Sequence, residues 1–347
     1  MKRFTRVTKE RRRTYVIAEI GVNHDGSVER AIQMIDVAKE LGADCAKFQT
    51  FSADRIIVPN APKAKYQIAN TGEAESQYEM LKKLELDREQ TLRLKEHCQK
   101  VGIDFLSTPY NIADIDMLCD LGCDTLKIAS GQCVETPFVR HVASKGVSII
   151  LSTGMCTLAD VVEAVRAIEA ENPDPSLVLL QCTTNYPAAP HELNLTAMCT
   201  LAALGYPVGF SDHCETNYAA FAAVALGATV IEKHFTLDRT LPGPDHRASL
   251  DPAGFRDLIT GIRAVEDALG SGVKAPMPSE VDNAPRMRRS IVANRDLPKG
   301  HVLEACDVEF KRPEGGLRPK DLALVLGRPL RRDVAQNKAF ELGDFEW

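Results

Sequence analysis

Short apolar segments alternate with helical patterns along the first 270 residues of the chain. Nearly continuous apolar strands separated by helices predict a parallel sheet that helices cover. Eight such units in about 250 residues favour a (β/α)8 TIM barrel, and no GxGxxG motif opens a helix after the first strand to suggest a doubly wound sheet. The predicted strands are Tyr15–Gly21, Cys45–Phe51, Asp104–Tyr110, Thr125–Ser130, Ser148–Gly154, Leu177–Thr183, Pro207–His213 and Thr229–Phe235.

The pattern changes after residue 270, which indicates a second domain. Residues 271–285 are rich in Gly, Pro, Ser and charge, as is typical of a linker. Short β-like segments and turn signals between residues 286 and 347 predict a small β-rich domain. We therefore expect a basic N-terminal tail over 1–14, a barrel over 15–270, a linker over 271–285 and the small domain over 286–347.

One connection in the predicted barrel is unusually long. A polar segment of roughly residues 52–86 separates the second strand from the helix that follows. Loops of that length are often functional, so we expect this one to act as a lid.

Composition excludes several classes of function. Lys and Arg total 42 against 48 Asp and Glu, a net charge of −6, which disfavours a general nucleic-acid or anionic-membrane binder. Ten cysteines without a CxxC motif disfavour a disulfide scaffold or a zinc knot and suggest a reducing, cytoplasmic setting. The longest apolar runs have the length of strands, so we expect no membrane span.

Polar residues end every predicted strand, and catalytic groups of TIM barrels lie at the C-terminal strand ends. Lys47 and Lys127 stand inside apolar strands, where a lysine is rarely buried without a partner. The lysines could hold an anion, pair with a core carboxylate such as Glu19, or, for Lys127, form a Schiff base. We favour a phosphate site that includes the hydroxyls of Thr108, Ser130, Ser152 and Ser211.

Two histidines end neighbouring strands, the seventh and the eighth. Adjacent parallel strands lie about 4.8 Å apart, so His213 and His234 could share one metal ion with open coordination positions. Asp212 and Glu232 are expected nearby, and residues 245–246 could add contacts over the barrel mouth. Such a set suits Mn²⁺ or Mg²⁺ as well as Zn²⁺.

Ordered motifs along the chain resemble the sialic acid (N-acetylneuraminate) synthase family. The resemblance runs from about residue 15 to the end, and the last 60 residues resemble the family's antifreeze-like (SAF) domain. The motifs are Ala18-Glu19-Ile20-Gly21-Val22-Asn23-His24, Lys47-Phe48-Gln49-Thr50, Ser107-Thr108-Pro109, Ser130-Gly131, Leu151-Ser152-Thr153-Gly154-Met155, Ile231-Glu232-Lys233-His234-Phe235, Pro242-Gly243-Pro244-Asp245-His246 and Lys311-Arg312-Pro313.

This resemblance implies a metal-dependent condensation, with Mn²⁺ or Mg²⁺. Phosphoenolpyruvate would join an open-chain N-acetylmannosamine-type sugar and give N-acetylneuraminate and phosphate by C–O cleavage. The alternative within the family is an N,N'-diacetyllegionaminate synthase that uses 2,4-diacetamido-2,4,6-trideoxymannose. A Schiff-base aldolase acting through Lys127 and a non-catalytic carbohydrate-binding protein are the rivals from other classes.

The resemblance also implies roles for individual residues. Glu19, Lys47 and Lys127 would be catalytic, and Arg312 would reach the neighbouring active site of a homodimer. Two positions depart from the family pattern: Gln132 stands where Glu is expected, and Thr184 where many members have Asn. Phosphoenolpyruvate would contact Lys47, Thr108, Lys127, Ser130, Ser152, Thr184 and Ser211; the sugar would contact Gln49, Tyr186, Asp245 and Arg312; the metal would bind His213 and His234.

Overall fold

The computed structural model describes residues 13–72 and 74–347. The predicted basic tail, apart from its last two residues, lies outside the described residues. The chain divides into two compact units between Gly270 and Ser271.

The first unit contains eight parallel strands in the order β3-β2-β1-β8-β7-β6-β5-β4. The end strands β3 and β4 lie side by side, so the sheet is a nearly closed barrel, as the strand pattern predicted. Seven of the eight strands end one or two residues earlier than predicted. The strands are β1 Tyr15–Gly21, β2 Cys45–Thr50, β3 Asp104–Pro109, β4 Thr125–Ile128, β5 Ser148–Ser152, β6 Leu177–Cys182, β7 Val208–Asp212 and β8 Val230–His234.

Helices follow the strands and cover the outside of the barrel. The first shows how the sequence sets their limits: the Ser27 side chain accepts from the Arg30 backbone N–H, and Gly42, with φ of 94°, ends the helix. No helix among the described residues is long and apolar enough to cross a bilayer. The helices are α1 Val28–Leu41, α2 Ala53–Ile56, α3 Lys65–Thr71, α4 Gln77–Lys82, α5 Arg88–Val101, α6 Ile112–Asp120, α7 Thr136–Ser144, α8 Leu158–Glu171, α9 Ala197–Ala202, α10 Tyr218–Ala225, α11 Pro252–Leu269, α12 Pro278–Val281 and α13 Ala284–Met287.

The interior of the barrel changes from apolar to polar along the strands. Successive side chains of a strand point to opposite faces, so every second residue faces inward. The inward residues near the strand starts form an apolar layer, and on β1, β2, β3, β5 and β8 the inward residue two positions further on is charged or carries a hydroxyl, whereas β6 continues with the thiol of Cys182. The apolar layer consists of Ile17, Cys45, Leu106, Ile150, Val178, Leu180 and Val230.

The segment of residues 52–86 is more ordered than the predicted polar loop. It contains the short helices α2, α3 and α4, and Met80 and Leu84 pack against Val22 and Phe51 in a separate apolar cluster. The Asn70 side-chain amide donates to the Pro244 carbonyl at 2.6 Å. The segment is thus folded against the C-terminal end of the barrel, and its action as a lid stays a prediction.

The second unit is small and β-rich, as predicted. Its strands β9 Ser290–Ala293 and β10 Val308–Lys311 pair antiparallel. Its core is separate from that of the barrel and includes Ile291, Leu330 and Phe340. α12 and α13 precede β9 in the same unit.

Candidate active site

Two lysines and two carboxylates form a buried charged cluster above the apolar layer. Lys47 Nζ lies 2.7 Å from Glu19 Oε2 and 3.5 Å from Glu232 Oε2. Lys127 Nζ lies 3.6 Å from the other oxygen of Glu232. Each of the four residues is at most 5% exposed, so the charges compensate one another rather than being solvated. For Lys47, the structure therefore shows the carboxylate pairing that the sequence left open.

The two carboxylates of this cluster differ in their affinity for a proton. Burial, with the charge of Glu232, raises the pKa of Glu19 to about 7 against the opposing effect of Lys47. Burial also acts to raise the pKa of Glu232, but Lys127 and Lys47 lower it to about 2. Glu19 is thus the carboxyl group of the cluster that can exchange a proton near neutral pH, and Glu232 stays an anion.

Hydroxyl groups extend the charged cluster. Lys127 Nζ donates to Ser152 Oγ at 2.7 Å, and Lys47 Nζ donates to Thr108 Oγ1 at 3.2 Å. The Ser211 hydroxyl donates to a Glu232 oxygen, Oε1, at 2.9 Å. The strands therefore bring the predicted phosphate ligands together, and their role as ligands stays a prediction.

Next to Lys127 and Ser152, the backbone of Gly154 lies close to the hydroxyls of Ser130 and Thr184. The Gly154 backbone N–H donates to Ser130 Oγ at 2.9 Å. A Cβ atom at residue 154 would lie 2.3 Å from Thr184 Oγ1 and 2.8 Å from Ser130 Oγ, so a larger residue here would displace both hydroxyls. Thr184 Oγ1 is buried and has no hydrogen-bond partner, which leaves it able to bind a ligand oxygen.

These groups line a cavity of about 200 Å³ at the C-terminal end of the barrel. Asp245 lines a second, adjoining cavity, and Arg312 is exposed in the other unit. The cross-subunit role of Arg312 stays a prediction. The predicted residues that line the first cavity are Glu19, Lys47, Gln49, Thr108, Lys127, Ser130, Ser152, Thr184, Tyr186, Ser211, His213 and His234.

The two histidines lie together beside the charged cluster, with ring centroids 5.5 Å apart. His213 Nδ1 lies 2.7 Å from the Thr183 carbonyl, which can only accept, so Nδ1 carries the proton and Nε2 has a free lone pair. His234 Nδ1 is buried without a partner, and burial and His213 lower the pKa of His234 well below its ordinary value. Burial acts to lower the pKa of His213, but Cys182 and the Thr183 carbonyl raise it above its ordinary value. In its neutral form His213, together with the neutral His234, offers unused nitrogens that fit a divalent metal, so the metal would compete with a proton at His213.

The chain supplies few further metal ligands at this place. The described part of the chain contains no group of three His, Cys, Asp or Glu residues placed to hold one ion. Histidines 213 and 234 would therefore leave several coordination positions to water and substrate, which suits Mn²⁺ or Mg²⁺.

Two expected neighbours of the histidines lie elsewhere. Asp212 Oδ2 binds Lys233 Nζ at 2.8 Å, because Asp212 alternates with the inward residues of β7 and faces outward. His246 is also buried and lines neither cavity, with Nε2 3.1 Å from Asp25 and Nδ1 2.7 Å from Thr236 Oγ1. The expectation that Asp212 and His246 add metal or mouth contacts was wrong.

The sequence analysis gave no role to three residues that line the first cavity, Tyr110, Cys182 and Gln132. Tyr110 Oη lies 3.5 Å from Gln49 Oε1, and Cys182 Sγ lies 3.8 Å from His213 Nδ1. The alternation of inward residues along β6 would have identified Cys182, whereas Tyr110 lies past the end of β3 and gave no such signal.

Known proteins resemble this chain over nearly its whole length. It is 43% identical to the N,N'-diacetyllegionaminic acid synthase of Legionella pneumophila over 92% of this chain and 91% of that protein. The Campylobacter jejuni enzyme of the same name is 42% identical, over 94% and 98%. The human N-acetylneuraminate-9-phosphate synthase is 34% identical, over 93% and 90%.

A solved structure supports the same relationship. The N-acetylneuraminic acid (sialic acid) synthetase of Leptospira borgpetersenii superposes with a TM-score of 0.70 at 31% identity, over 81% of this chain and 95% of that one. The model of the NeuB family matches residues 34–274, and that of the SAF domain matches residues 288–345. The chain therefore belongs to the NeuB family of nonulosonic acid synthases, phosphoenolpyruvate-dependent transferases, and carries a C-terminal SAF domain.

Proposed function

We propose that the chain condenses phosphoenolpyruvate with open-chain 2,4-diacetamido-2,4,6-trideoxymannose, giving N,N'-diacetyllegionaminate and phosphate. The observation that carries the condensation is the lysine–carboxylate cluster beside two histidines in one cavity. The motifs alone placed N-acetylmannosamine first. The higher identity to two legionaminic acid synthases, 43% and 42% against 34% for the human neuraminate-9-phosphate enzyme, favours the diacetamido sugar.

Phosphoenolpyruvate would bind where positive charge and hydroxyls converge. Lys127, Ser152 and Ser130 would hold the phosphate, and Lys47 with Thr184 the carboxylate. An anion beside Lys47 weakens the attraction of Lys47 for Glu19, so binding favours a protonated Glu19. The site would therefore take up a proton as it fills.

The reaction balances without a redox step. C3 of phosphoenolpyruvate forms a bond to the aldehyde carbon, and the aldehyde oxygen takes a proton. Water adds at the C2 cation and loses one proton, which leaves a C2 hydroxyl beside the phosphate ester. The C2–O bond to the phosphate then breaks as the C2 hydroxyl becomes the ketone, and the hydroxyl proton leaves with the phosphate. Glu19 is placed to donate and accept these protons, and the lysines stabilise the phosphate as it leaves.

His213 and His234 would hold Mn²⁺ or Mg²⁺ at this site. The ion, when bound, supplies Lewis-acid polarisation of the sugar aldehyde. The Tyr186 ring lies 4.1 Å from the His213 ring, tilted by 37°, and would close one side of the position that the sugar occupies.

The geometry disfavours the Schiff-base aldolase. Lys127 Nζ donates to Ser152 and lies 3.6 Å from Glu232, which favours the ammonium form that has no lone pair to attack a carbonyl, although burial lowers the pKa of Lys127. A carbohydrate-binding protein without activity has no need of the buried charged cluster, whose desolvation costs stability.

The test is phosphate release from phosphoenolpyruvate with each of three acceptors, with Mn²⁺ or EDTA present. The acceptors are the diacetamido sugar, N-acetylmannosamine and no sugar. We expect release that requires both metal and the diacetamido sugar. Release with N-acetylmannosamine alone would establish the sialate assignment instead, and borohydride trapping of pyruvate on Lys127 would establish the aldolase.

A further inference from the structure

A second cavity of about 550 Å³ adjoins the charged one. The two cavities share lining residues, so they are two parts of one site. The first part contains the two buried lysines, whereas the second has the larger volume, and its charged lining residues are Arg55, Glu135 and Asp245. The shared residues are Gln49, Tyr110, Gln132, Tyr186 and His234.

Gln132 presents an unused acceptor at the junction of the two cavities. Its Oε1 is buried and has no hydrogen-bond partner. Its backbone is fixed, because the Gln132 N–H donates to the Ala129 carbonyl at 3.0 Å within the turn Ser130–Val134. A buried acceptor without a donor costs stability, so this amide oxygen is suited to an N–H or O–H group of a bound molecule.

Apolar side chains from the 52–86 segment form another wall of the second cavity. Ile56, Ile57 and Leu81 line it and are only half-buried, and Met80 and Phe51 line it from the cluster behind them. A hydroxyl group against this wall loses its hydrogen bonds to water, whereas a methyl group gains by leaving water.

We infer that the second cavity is a subsite for the acetamido and methyl substituents of a 6-deoxy diacetamido sugar. Gln132 accepts a hydrogen bond from the amide N–H at C4, and Ile56, Ile57 and Leu81 contact the acetyl and C6 methyl groups. Gln132 is in this way a specificity-determining residue. The inference rests on the proposed function and extends it to the residues that select the sugar.

The experiment compares kcat/KM for two sugars that differ only at C4. One is 2,4-diacetamido-2,4,6-trideoxymannose, and the other is 2-acetamido-2,4,6-trideoxymannose, which has no donor there. Gln132→Leu should lower kcat/KM for the first sugar about tenfold and leave the second within about twofold, because only the first loses a hydrogen bond. Gln99→Leu is the matched control: Gln99 is exposed on α5 and lines neither cavity, so the ratio should not change.

Two further variants test the hydrogen bond of Gln132 and the apolar wall separately. Gln132→Glu keeps an acceptor of the same shape and should retain the preference for the diacetamido sugar. Leu81→Asn should reduce the preference for the 6-deoxy sugar over its 6-hydroxy counterpart.

The outcomes distinguish the inference from the function on which it rests. Equal losses on both sugars in Gln132→Leu, or loss of the preference in Gln132→Glu, would overturn the role of Gln132 while the synthase activity stands. Absence of phosphate release from wild-type protein with any sugar would overturn the function and the subsite together.

Discussion

At the scale of single residues, Glu232 is the anion on which both buried lysines depend. It lies 3.5 Å from Lys47 and 3.6 Å from Lys127 and accepts from Ser211. Glu232→Gln should lower the free energy of unfolding by about 3 kcal/mol, because it leaves buried positive charge uncompensated. Inorganic phosphate should restore part of that loss by supplying an anion, and urea unfolding with and without phosphate measures both effects.

The control for Glu232→Gln is a carboxylate outside the cluster. Glu96 is exposed on α5, so Glu96→Gln should change the free energy of unfolding little and leave its response to phosphate as in the wild type. A phosphate response of equal size in wild-type protein and both variants would show that the cluster is not the anion site.

Glu19 gives the site a pH dependence of defined sign. Its pKa is raised by burial from 4.5 to about 7, so between these values the folded chain binds a proton that the unfolded chain does not. The contribution of Glu19 to the free energy of unfolding is full below pH 4.5 and falls as the pH rises through 7. Glu19→Gln should remove this fall.

The measurement is the free energy of unfolding of wild type and Glu19→Gln from pH 4.5 to about 8. As the pH rises through about 7, the free energy of unfolding of the wild type should fall relative to that of Glu19→Gln. A difference that is constant over this range would show that Glu19 titrates at its ordinary value in the folded chain.

The alternation of residues along strands explains which site residues could be predicted. Glu19, Lys127 and His234 are polar residues at inward positions of apolar strands, so sequence alone indicates that they meet. The outward position of Asp212 follows from the same alternation, and applying it strictly would have kept Asp212 out of the metal site. The sharing of Glu232 between two lysines depends on barrel closure, which no local pattern contains.

At the scale of elements, an outward ion pair supports the strand end that carries His213. Lys233 on β8 donates to Asp212 on β7 at 2.8 Å and to the carbonyls of Cys214 and Thr216 at 2.5 and 3.1 Å. Lys233→Met should lower Mn²⁺ affinity by about tenfold or more, because the turn around His213 loses its three attachments. Mn²⁺ titration followed by electron paramagnetic resonance measures this without relying on turnover.

A double variant separates positioning from stability in this pair. Lys233→Met with Asp212→Asn removes the uncompensated buried carboxylate and should recover stability, yet Mn²⁺ affinity should stay low. Recovery of both properties together would show that the ion pair acts only on folding.

The 52–86 segment connects its own small cluster to the sugar side of the site. Met80 is buried against Val22, Phe51 and Leu84. Met80→Ala should lower the stability of this segment by about 2–5 kcal/mol, because it leaves a cavity in the cluster. The segment should then unfold locally more often, while the barrel stays folded. Hydrogen exchange should rise in residues 53–84 and stay unchanged in α8, while KM for the sugar rises more than KM for phosphoenolpyruvate.

A uniform rise of hydrogen exchange across the barrel would contradict an independent cluster. The sequence showed the length of this segment but not its helices, since α2 and α3 have no N-cap side-chain bond and only four and seven residues. Such short helices are stable through tertiary packing, which local patterns do not reveal.

At the scale of the whole molecule, the two units have cores of different kinds. The barrel could be predicted because eight strand–helix repeats carry the same signal. The second unit buries Ile291, Leu330 and Phe340 around one short strand pair, and it was identified from composition and resemblance rather than from periodicity. A role of this unit in the activity stays a prediction, and it rests on Arg312, which is exposed in this unit.

Hybrid dimers test whether Arg312 acts in the neighbouring subunit. Lys127→Ala and Arg312→Ala should each be nearly inactive alone. In a mixed dimer, the barrel with an intact Lys127 receives the intact Arg312 of the other chain, so one site is complete and the other has both defects. Random mixing should then restore about a quarter of wild-type activity, since about half of the dimers are mixed and each has one complete site of two. Because an Arg312 that acts within its own chain leaves a defect in every site, an inactive mixture would refute the exchange.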